Sequence, residues 1–220
     1  MKICVVTDRR RQLAVRLPPC DVALLGFGAL GLVDYESELE GKSEKFEQVA
    51  VLSRAARCGV FCGCKTDSRG LIRKSVAAAY NGRLLGISDM LNVLDDEEYK
   101  AGSGVGVYQV GGYKVGLCID NDLFFPDCVR TCVACGCNLI AVHAEKIADG
   151  IPPLLIRAYA YLYGIPVVLC AGGVAYFADI TGVIASSNQE VAVFETAPKN
   201  CYRLVTSRRR GIFCAGDDDY

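Results

Sequence analysis

The segment from residue 113 to residue 130, YKVGLCIDNDLFFPDCVR, combines a strand, a sharp turn and the start of a helix. Residues 114–119 carry enough apolar side chains to cross a core, and the Asp-Asn-Asp run that follows favours a turn. Pro126 suits the first turn of a helix. A strand-to-helix elbow of this kind displays one side chain at the top of a sheet, where nucleophiles are commonly mounted. The segment therefore predicts a sheet with a functional position at the end of this strand.

Strand-like and helix-like patterns alternate along the rest of the chain. The predicted strands are residues 2–6, 22–25, 59–64, 75–80, 83–87, 106–110, 114–119, 138–143, 166–171, 180–185 and 190–195. The predicted helices are residues 43–58, 127–135 and 153–164. Asn81-Gly82 lies between two apolar runs and predicts a type I′ hairpin. Hairpins mixed with crossover helices favour an α/β protein with large sheets that helices cover.

Length and composition indicate one domain with a large core. The chain has 220 residues, of which 52% are hydrophobic, so residues 1–220 are expected to form a single domain with about 201–220 as a C-terminal extension. The net charge of −1 gives no electrostatic reason to expect nucleic acid or an acidic membrane as a partner. The longest weakly polar run, residues 164–185, contains Pro166 and Asp179, so no membrane span is expected.

The cysteines and the first residues of the chain indicate a reducing compartment. Met1-Lys2 leads directly into the apolar run at residues 3–6, without the pattern of a secretory signal. Thirteen cysteines in such a chain are best interpreted as reduced thiols. We therefore expect a cytoplasmic protein.

Residues 115–127 also resemble the nucleophile elbow of the carbon–nitrogen hydrolase (nitrilase/amidase) superfamily, whose form is V-G-x-x-I-C-x-D-x-x-F-P-E. The positions in register are Val115, Gly116, Ile119, Asp122, Phe125 and Pro126, with Asp127 in place of the Glu. The likeness runs from about residue 1 to about residue 200 and includes the segments 58–63 and 159–170. It implies an α/β fold of the nitrilase type, a four-layer α-β-β-α sandwich, and a homodimer.

The superfamily hydrolyses amides and nitriles with a Cys, a Glu and a Lys, which attack carbon, move the proton and stabilise the developing charge. The positions that correspond to Glu, Lys and Cys hold Phe27 or Gly28, Met90 or Asp89, and Asp120. Leu162 stands where a second carboxylate is often found. The resemblance therefore implies a degenerate member that lacks the Cys-Glu-Lys triad.

The expected function is that of a non-hydrolytic relative, whose pocket serves binding, regulation or assembly. Its candidate lining residues are Phe27, Asp120, Asn121 and His143, the last as a structural imidazole with its hydrogen bonds satisfied. A small amide or amine is the expected ligand, because a carboxylate at residue 120 would repel ligands that carry a carboxylate. Neither a metal ion nor a cofactor is expected.

An active amide or nitrile hydrolase with a displaced triad is the alternative. Cys118 precedes Asp120 by two residues, so its side chain is expected to point the same way, deeper along the strand. Glu36, Glu38 or Glu40 would then supply the carboxylate. A thiol at this depth is more typical of a core than of a nucleophile, since reactive cysteines need exposure and a low pKa.

The cysteine run at residues 128–137 indicates a third function class. Cys128, Cys132 and Cys135 have the spacing of the cluster-binding loop in radical enzymes that use S-adenosylmethionine, and Cys137 adds a fourth sulfur. The same spacing also describes one face of a helix. Because a helix is predicted here, small buried side chains are the favoured interpretation.

Overall fold

The computed structural model describes residues 1–7, 13, 16–95 and 98–196. The strands are β1 (Lys2–Val6), β2 (Val22–Leu25), β3 (Leu32–Asp34), β4 (Gly59–Ser68), β5 (Leu71–Tyr80), β6 (Arg83–Asp89), β7 (Val107–Val110), β8 (Tyr113–Ile119), β9 (Leu139–His143), β10 (Val167–Ala171), β11 (Val174–Ala178), β12 (Ile184–Ser187) and β13 (Val191–Glu195). The helices are α1 (Tyr35–Leu39), α2 (Lys45–Ala56), α3 (Pro126–Ala134) and α4 (Ile151–Tyr163). A 3-10 turn, Asp120–Phe124, joins β8 to α3.

The strands form two mixed sheets. The first has the order β13-β1-β2-β4-β5-β6, with β3 paired to β4, and the second has the order β12-β11-β10-β9-β8-β7. In each sheet a parallel run, β1-β2-β4 or β8-β9-β10, is flanked by antiparallel strands. Helices α2, α3 and α4 lie in the crossover connections that parallel strands require. Asn81 and Gly82, between β5 and β6, both have positive φ, 53° and 79°, as the predicted type I′ turn requires.

Three buried clusters divide the molecule into four layers. Leu24 of the first sheet and Leu117 of the second belong to the cluster between the sheets. The outer face of the first sheet packs against α2 through Val49. The outer face of the second sheet packs against α3 and α4 through Val129 and Ile156. The predicted α-β-β-α sandwich is confirmed.

Most predicted elements are present with shifted bounds. Helices α2, α3 and α4 begin and end within two residues of the predicted bounds. The strand predicted at 180–185 begins later, at Ile184 of β12, because the Asp179 carboxylate accepts hydrogen bonds from the backbone N–H groups of Thr181 and Val183 and holds a turn there. The C-terminal extension expected at about 201–220 lies outside the described residues. Within the described parts of the chain, no helix is both long and apolar enough to cross a membrane.

Two neighbouring strands of the first sheet direct lysines toward the second sheet. In β5, Val76 faces the space between the sheets and Ala77 faces α2. Because side chains alternate along a strand, Lys74 lies on the same face as Val76. Phe61 of β4 also faces inward, which places Lys65 inward and directly opposite Lys74. The fold therefore brings two ammonium groups side by side at one end of the interior.

Candidate functional site

The elbow predicted from the sequence is present at the end of β8. Asp120 follows the last residue of the strand in the left-handed region, with φ of 50°, and Pro126 lies in the first turn of α3. Asp122 is buried beneath the turn, and its carboxylate accepts hydrogen bonds from the backbone N–H of Ile119 at 3.2 Å, Leu91 at 3.0 Å and Asn92 at 2.9 Å. Burial raises the pKa of Asp122, and these hydrogen bonds oppose the rise. Asp122 thus ties the elbow to the segment that follows β6.

An ion pair between Lys74 and Asp120 joins the two sheets at the elbow. The Lys74 side chain is 7% exposed and that of Asp120 is 16% exposed, so both charges are largely removed from water. The Lys74 ammonium also lies 4.6 Å from the centre of the Tyr99 ring, within the range of a cation–π contact. The positive φ at Asp120 turns its side chain away from the regular alternation of β8 and toward the first sheet.

A second ion pair lies beside the first. The Lys65 ammonium is 3.0 Å from the carboxylate of Glu145, which follows β9, and 5.4 Å from the centre of the same Tyr99 ring. Contacts with the Tyr99 hydroxyl and with Glu145 raise the pKa of Lys65, while burial opposes the rise. Two lysines in direct cross-strand register would repel each other. Here each one has a carboxylate as its partner.

Two cavities open on either side of Glu145. The elbow cavity, of about 220 Å³, is lined by Lys74, Asp120, Asn121, Leu123, Phe124, Ala144, Glu145, Lys146, Ala148, Asp149 and Pro152. The loop cavity, of about 250 Å³, is lined by Gly26, Phe27, Gly28, Gly31, Lys65, Glu145 and Gly172. Each has room for a small molecule of roughly ten non-hydrogen atoms at most, since a water occupies about 30 Å³ of liquid. The predicted residues Asp120 and Asn121 line the first cavity, and Phe27 and Gly28 line the second.

A glycine in β4 lets the loop with Phe27 and Gly28 approach the sheet. A Cβ atom added at Gly63 would lie 2.9 Å from the backbone nitrogen of Phe27. Real Cβ atoms essentially never come so close to backbone, so a larger residue at 63 would displace the loop. Gly63 therefore helps to shape the loop cavity.

Met90 does not reach either cavity. It is fully buried between the two sheets, and its backbone N–H donates to the Lys74 carbonyl at 2.8 Å. The lysine in this part of the structure comes instead from β5, the strand that pairs with β6. Asp89 accepts a hydrogen bond from Ser75 at 2.6 Å.

Cys118 and Asp120 point in different directions, so the expectation that they point the same way is wrong. Cys118 is fully buried in the cluster between the second sheet and α3, together with Cys132. Asp120 instead pairs with Lys74 of the first sheet, because its positive φ breaks the alternation. Nor do the carboxylates of α1 approach Cys118: Glu36 pairs with Arg69, and Glu38 accepts from the backbone of α2.

His143 lies between the sheets and lines neither cavity. Its side chain has no exposed surface, and its Nε2 is 3.2 Å from the Phe61 carbonyl oxygen of the first sheet. The expectation of a fully satisfied imidazole is wrong, since Nδ1 has no hydrogen-bond partner in the structure as described. Burial lowers the pKa of His143 to about 4, because the charged form would lose its hydration. The imidazole is therefore a neutral part of the core.

The first two cysteines of the run after the elbow lie on one face of α3, as the helical interpretation predicts, but the expectation of a buried side chain is wrong for Cys135. Cys128 and Cys132 are buried against the second sheet, whereas Cys135, at the end of the helix, is exposed. The sulfurs of Cys128, Cys132 and Cys135 therefore do not point to one place from a loop, as the ligands of an iron–sulfur cluster would. Among the residues described, no group of three or more His, Cys, Asp or Glu side chains is arranged to hold a metal ion.

Four residues of this site were missed in the sequence: Lys65, Lys74, Tyr99 and Glu145. A signal existed for Lys74, since it stands two and four residues before the inward-facing Val76 and Ala78. The period-two pattern of an apolar strand could have placed it on the buried face. Tyr99 and Glu145 lie outside strands and helices, where no periodicity indicates direction.

Comparisons of the sequence with protein-family models and with curated proteins find no match. Solved structures do match. A mutant amidase from Nesterenkonia sp. AN1, with acrylamide added to its active-site cysteine, gives a TM-score of 0.72 at 16% identity over 95% of this chain and 96% of that chain. Another mutant of the same amidase, with the acetamide moiety of fluoroacetamide added to that cysteine, gives a TM-score of 0.66 at 18% identity over 84% of each chain. A carbon–nitrogen hydrolase from Helicobacter pylori G27 gives a TM-score of 0.71 at 12% identity over 88% of each chain. The chain therefore has the fold of the nitrilase-superfamily amidases.

Proposed function

We propose that this protein is a non-hydrolytic relative of the nitrilase-superfamily amidases, with a pocket kept for ligand binding or regulation. The observation that carries the proposal is the side chain at the elbow, the carboxylate of Asp120 in a largely buried ion pair with Lys74. The similar amidases form covalent adducts on an active-site cysteine. A thiolate attacks amide carbon readily, whereas a carboxylate held by an ammonium is a weak nucleophile.

The position of Cys118 counts against the displaced-triad alternative. A nucleophile has to meet its substrate, and Cys118 has no exposed surface. The neighbours of Cys118 in its cluster are apolar side chains and other cysteines of α3. The elbow cavity lies on the other side of the chain, at Asp120.

The charges of the elbow cavity support a small amide or amine as the ligand. Its lining includes three carboxylates, Asp120, Glu145 and Asp149, and two ammonium groups, Lys74 and Lys146. Lys65, whose ammonium is 3.0 Å from Glu145, supplies a third positive charge at the edge of this cavity, so the charges balance and a neutral molecule with N–H donors, such as a small amide, is favoured over a carboxylate. Lys74 balances Asp120, so this preference comes from the whole lining and not from Asp120 alone, as the sequence had suggested.

The absence of amide hydrolysis is the first test. We expect the protein to release no ammonia from acrylamide, fluoroacetamide or butyramide, the compounds found in structures of the Nesterenkonia amidase. Peptide mass mapping after acrylamide treatment should find no adduct at residue 120, because a carboxylate does not add to acrylamide as a thiolate does.

The variant Asp120→Cys is the matched control. It should gain an acrylamide adduct at residue 120, since the elbow presents this side chain to the elbow cavity beside the Lys74 ammonium, which favours a thiolate. If the thiol introduced by Asp120→Cys stays unlabelled in the folded variant, the result would contradict an open pocket. Ammonia release by the unmodified protein that disappears in Cys118→Ser would support the displaced-triad alternative instead.

A homodimer is the proposed assembly. The resemblance to the superfamily implies it, and α4 supports it with apolar side chains that the chain itself does not cover, among them Ile151 and Leu154. Sedimentation or light scattering should give twice the chain mass of 23.7 kDa. Leu154→Glu should yield a monomer, and the control Leu39→Glu, at an 87% exposed position on α1, should leave the dimer intact. A monomeric unmodified protein would contradict this assembly.

A further inference from the structure

Three cysteines meet at one end of the first sheet, on the face that α2 covers. Cys4 lies in β1, Cys20 precedes β2 by two residues, and Cys58 precedes β4 by one. All three pack in the cluster between this sheet and α2. The strands around them are held in register, since the Asp21 N–H donates to the Lys2 carbonyl at 2.9 Å and the Gly59 N–H donates to the Asp21 carbonyl at 3.0 Å.

Access to solvent distinguishes these three thiols. Cys4 and Cys58 are buried, with exposed fractions of 0% and 1%, whereas Cys20 is half-buried. Of the three residues, Cys20 is therefore the one that is open in part to a reagent in solution. None of the described cysteines forms a disulfide, so the three are present as thiols.

The electrostatic surroundings of Cys20 favour its thiolate. Hydrogen bonds from the thiols of Cys4 and Cys58 lower the pKa of Cys20 to about 4, against the opposing effects of burial and of the neighbouring Asp21 carboxylate. The same contacts raise the pKa of Cys4 and of Cys58. A partly exposed cysteine thus lies in one cluster with two buried thiols, an arrangement typical of a redox-active cysteine with a resolving partner.

The backbone indicates which neighbour can move. Cys4 is in the middle of β1, which pairs with β13 on one side and with β2 on the other. Cys58 lies in the turn between α2 and β4, next to Arg57, whose φ of 55° ends the helix. A disulfide requires a specific approach of the two Cβ atoms, and a turn residue can adjust to this more easily than a central strand residue.

We propose that Cys20 is a peroxide-sensitive thiol and that Cys58 resolves its oxidation to a disulfide. The Cys20 thiolate attacks one oxygen of hydrogen peroxide, the O–O bond breaks, and hydroxide leaves with a sulfenic acid formed on Cys20. The Cys58 sulfur then attacks that sulfur, the S–O bond breaks, and the departing hydroxide takes the proton of Cys58. Two thiols and one peroxide become one disulfide and two waters. This inference does not depend on the proposed function of the elbow.

The test uses the full chain with Cys201→Ser and Cys214→Ser, which removes the two cysteines outside the described residues. Reduced protein is first pulsed with iodoacetamide at pH 6, and each cysteine is quantified by peptide mass mapping. Cys20 should react at least about tenfold faster than Cys135, the exposed cysteine that serves as internal control. Equal or slower labelling of Cys20 would overturn the proposal.

A second measurement identifies the product. After treatment with hydrogen peroxide, a non-reducing peptide map should contain a cross-link between Cys20 and Cys58. Cys20→Ser should abolish it, and Cys58→Ser should leave a sulfenic acid on Cys20 that dimedone traps. Circular dichroism checks that both variants are folded. A cross-link between any other pair, or none at all in the parent protein, would overturn the proposal.

Discussion

Replacement of Lys74 by methionine should lower the free energy of unfolding by about 3 kcal/mol, in the range of about 3–5 kcal/mol for breaking a buried ion pair. Methionine has a similar length and can still pack against the Tyr99 ring, but it removes the ammonium and leaves the Asp120 carboxylate without its cation in a place that is only 16% exposed. Most of this loss of stability comes from the unpaired carboxylate that remains buried, and less of it from the lost attraction between the two charges. Chemical denaturation followed by circular dichroism measures it.

The neighbouring lysine provides the matched control. Lys65 lies directly across the strand pair from Lys74, but its ion pair with Glu145 is more open, with side chains 31% and 41% exposed. Lys65→Met should therefore cost no more than about 1 kcal/mol. The double variant Lys74→Met/Asp120→Asn should recover most of the stability lost in Lys74→Met, because it removes both charges and asparagine, like aspartate, tolerates the positive φ at this position. Equal losses in the two single variants would contradict this account of the site.

Acid should destabilise the protein through His143 by about 3 kcal/mol between pH 6.5 and pH 4, since each unit of pKa difference corresponds to about 1.4 kcal/mol. The pKa of His143 is lowered from 6.5 to about 4 by burial in the fold. Between pH 6.5 and pH 4 the imidazole of His143 is protonated in the unfolded chain but stays neutral in the folded chain. Unfolding is then favoured more with each step down in pH, until the folded imidazole also titrates near pH 4.

The variant His143→Gln isolates this contribution from that of the carboxylates. A glutamine can place an N–H near the position of Nε2 and keep the hydrogen bond to the Phe61 carbonyl, but it does not titrate. The difference in unfolding free energy between the parent and the variant should be constant above pH 7. As the pH falls below 6.5, the parent should lose stability relative to the variant. Parallel curves from pH 7 to pH 4 would show that His143 is not the cause.

Local sequence determined the elbow, the three longest helices and most strands of this fold, but it did not indicate β3, α1 or β11. The apolar run at residues 114–119, the Asp-Asn-Asp turn and Pro126 predict the elbow, because turn chemistry and the first turn of a helix depend on neighbouring residues alone. The i, i+4 spacing of Cys128 and Cys132 likewise predicts one buried helix face. Asn81-Gly82 predicts its own hairpin for the same reason.

Tertiary structure alone decided the contents of the site. The ion pair of Lys74 and Asp120 joins residues 46 positions apart on opposite sheets, so no local pattern encodes it. The direction of Asp120 depends on a single positive φ at the end of β8, which reverses the alternation that would have aligned it with Cys118. The meeting of Cys4, Cys20 and Cys58 depends on the order of strands in the first sheet. Periodicity tells which face of an element is buried, but only the packing of the layers tells which charges and sulfurs meet there.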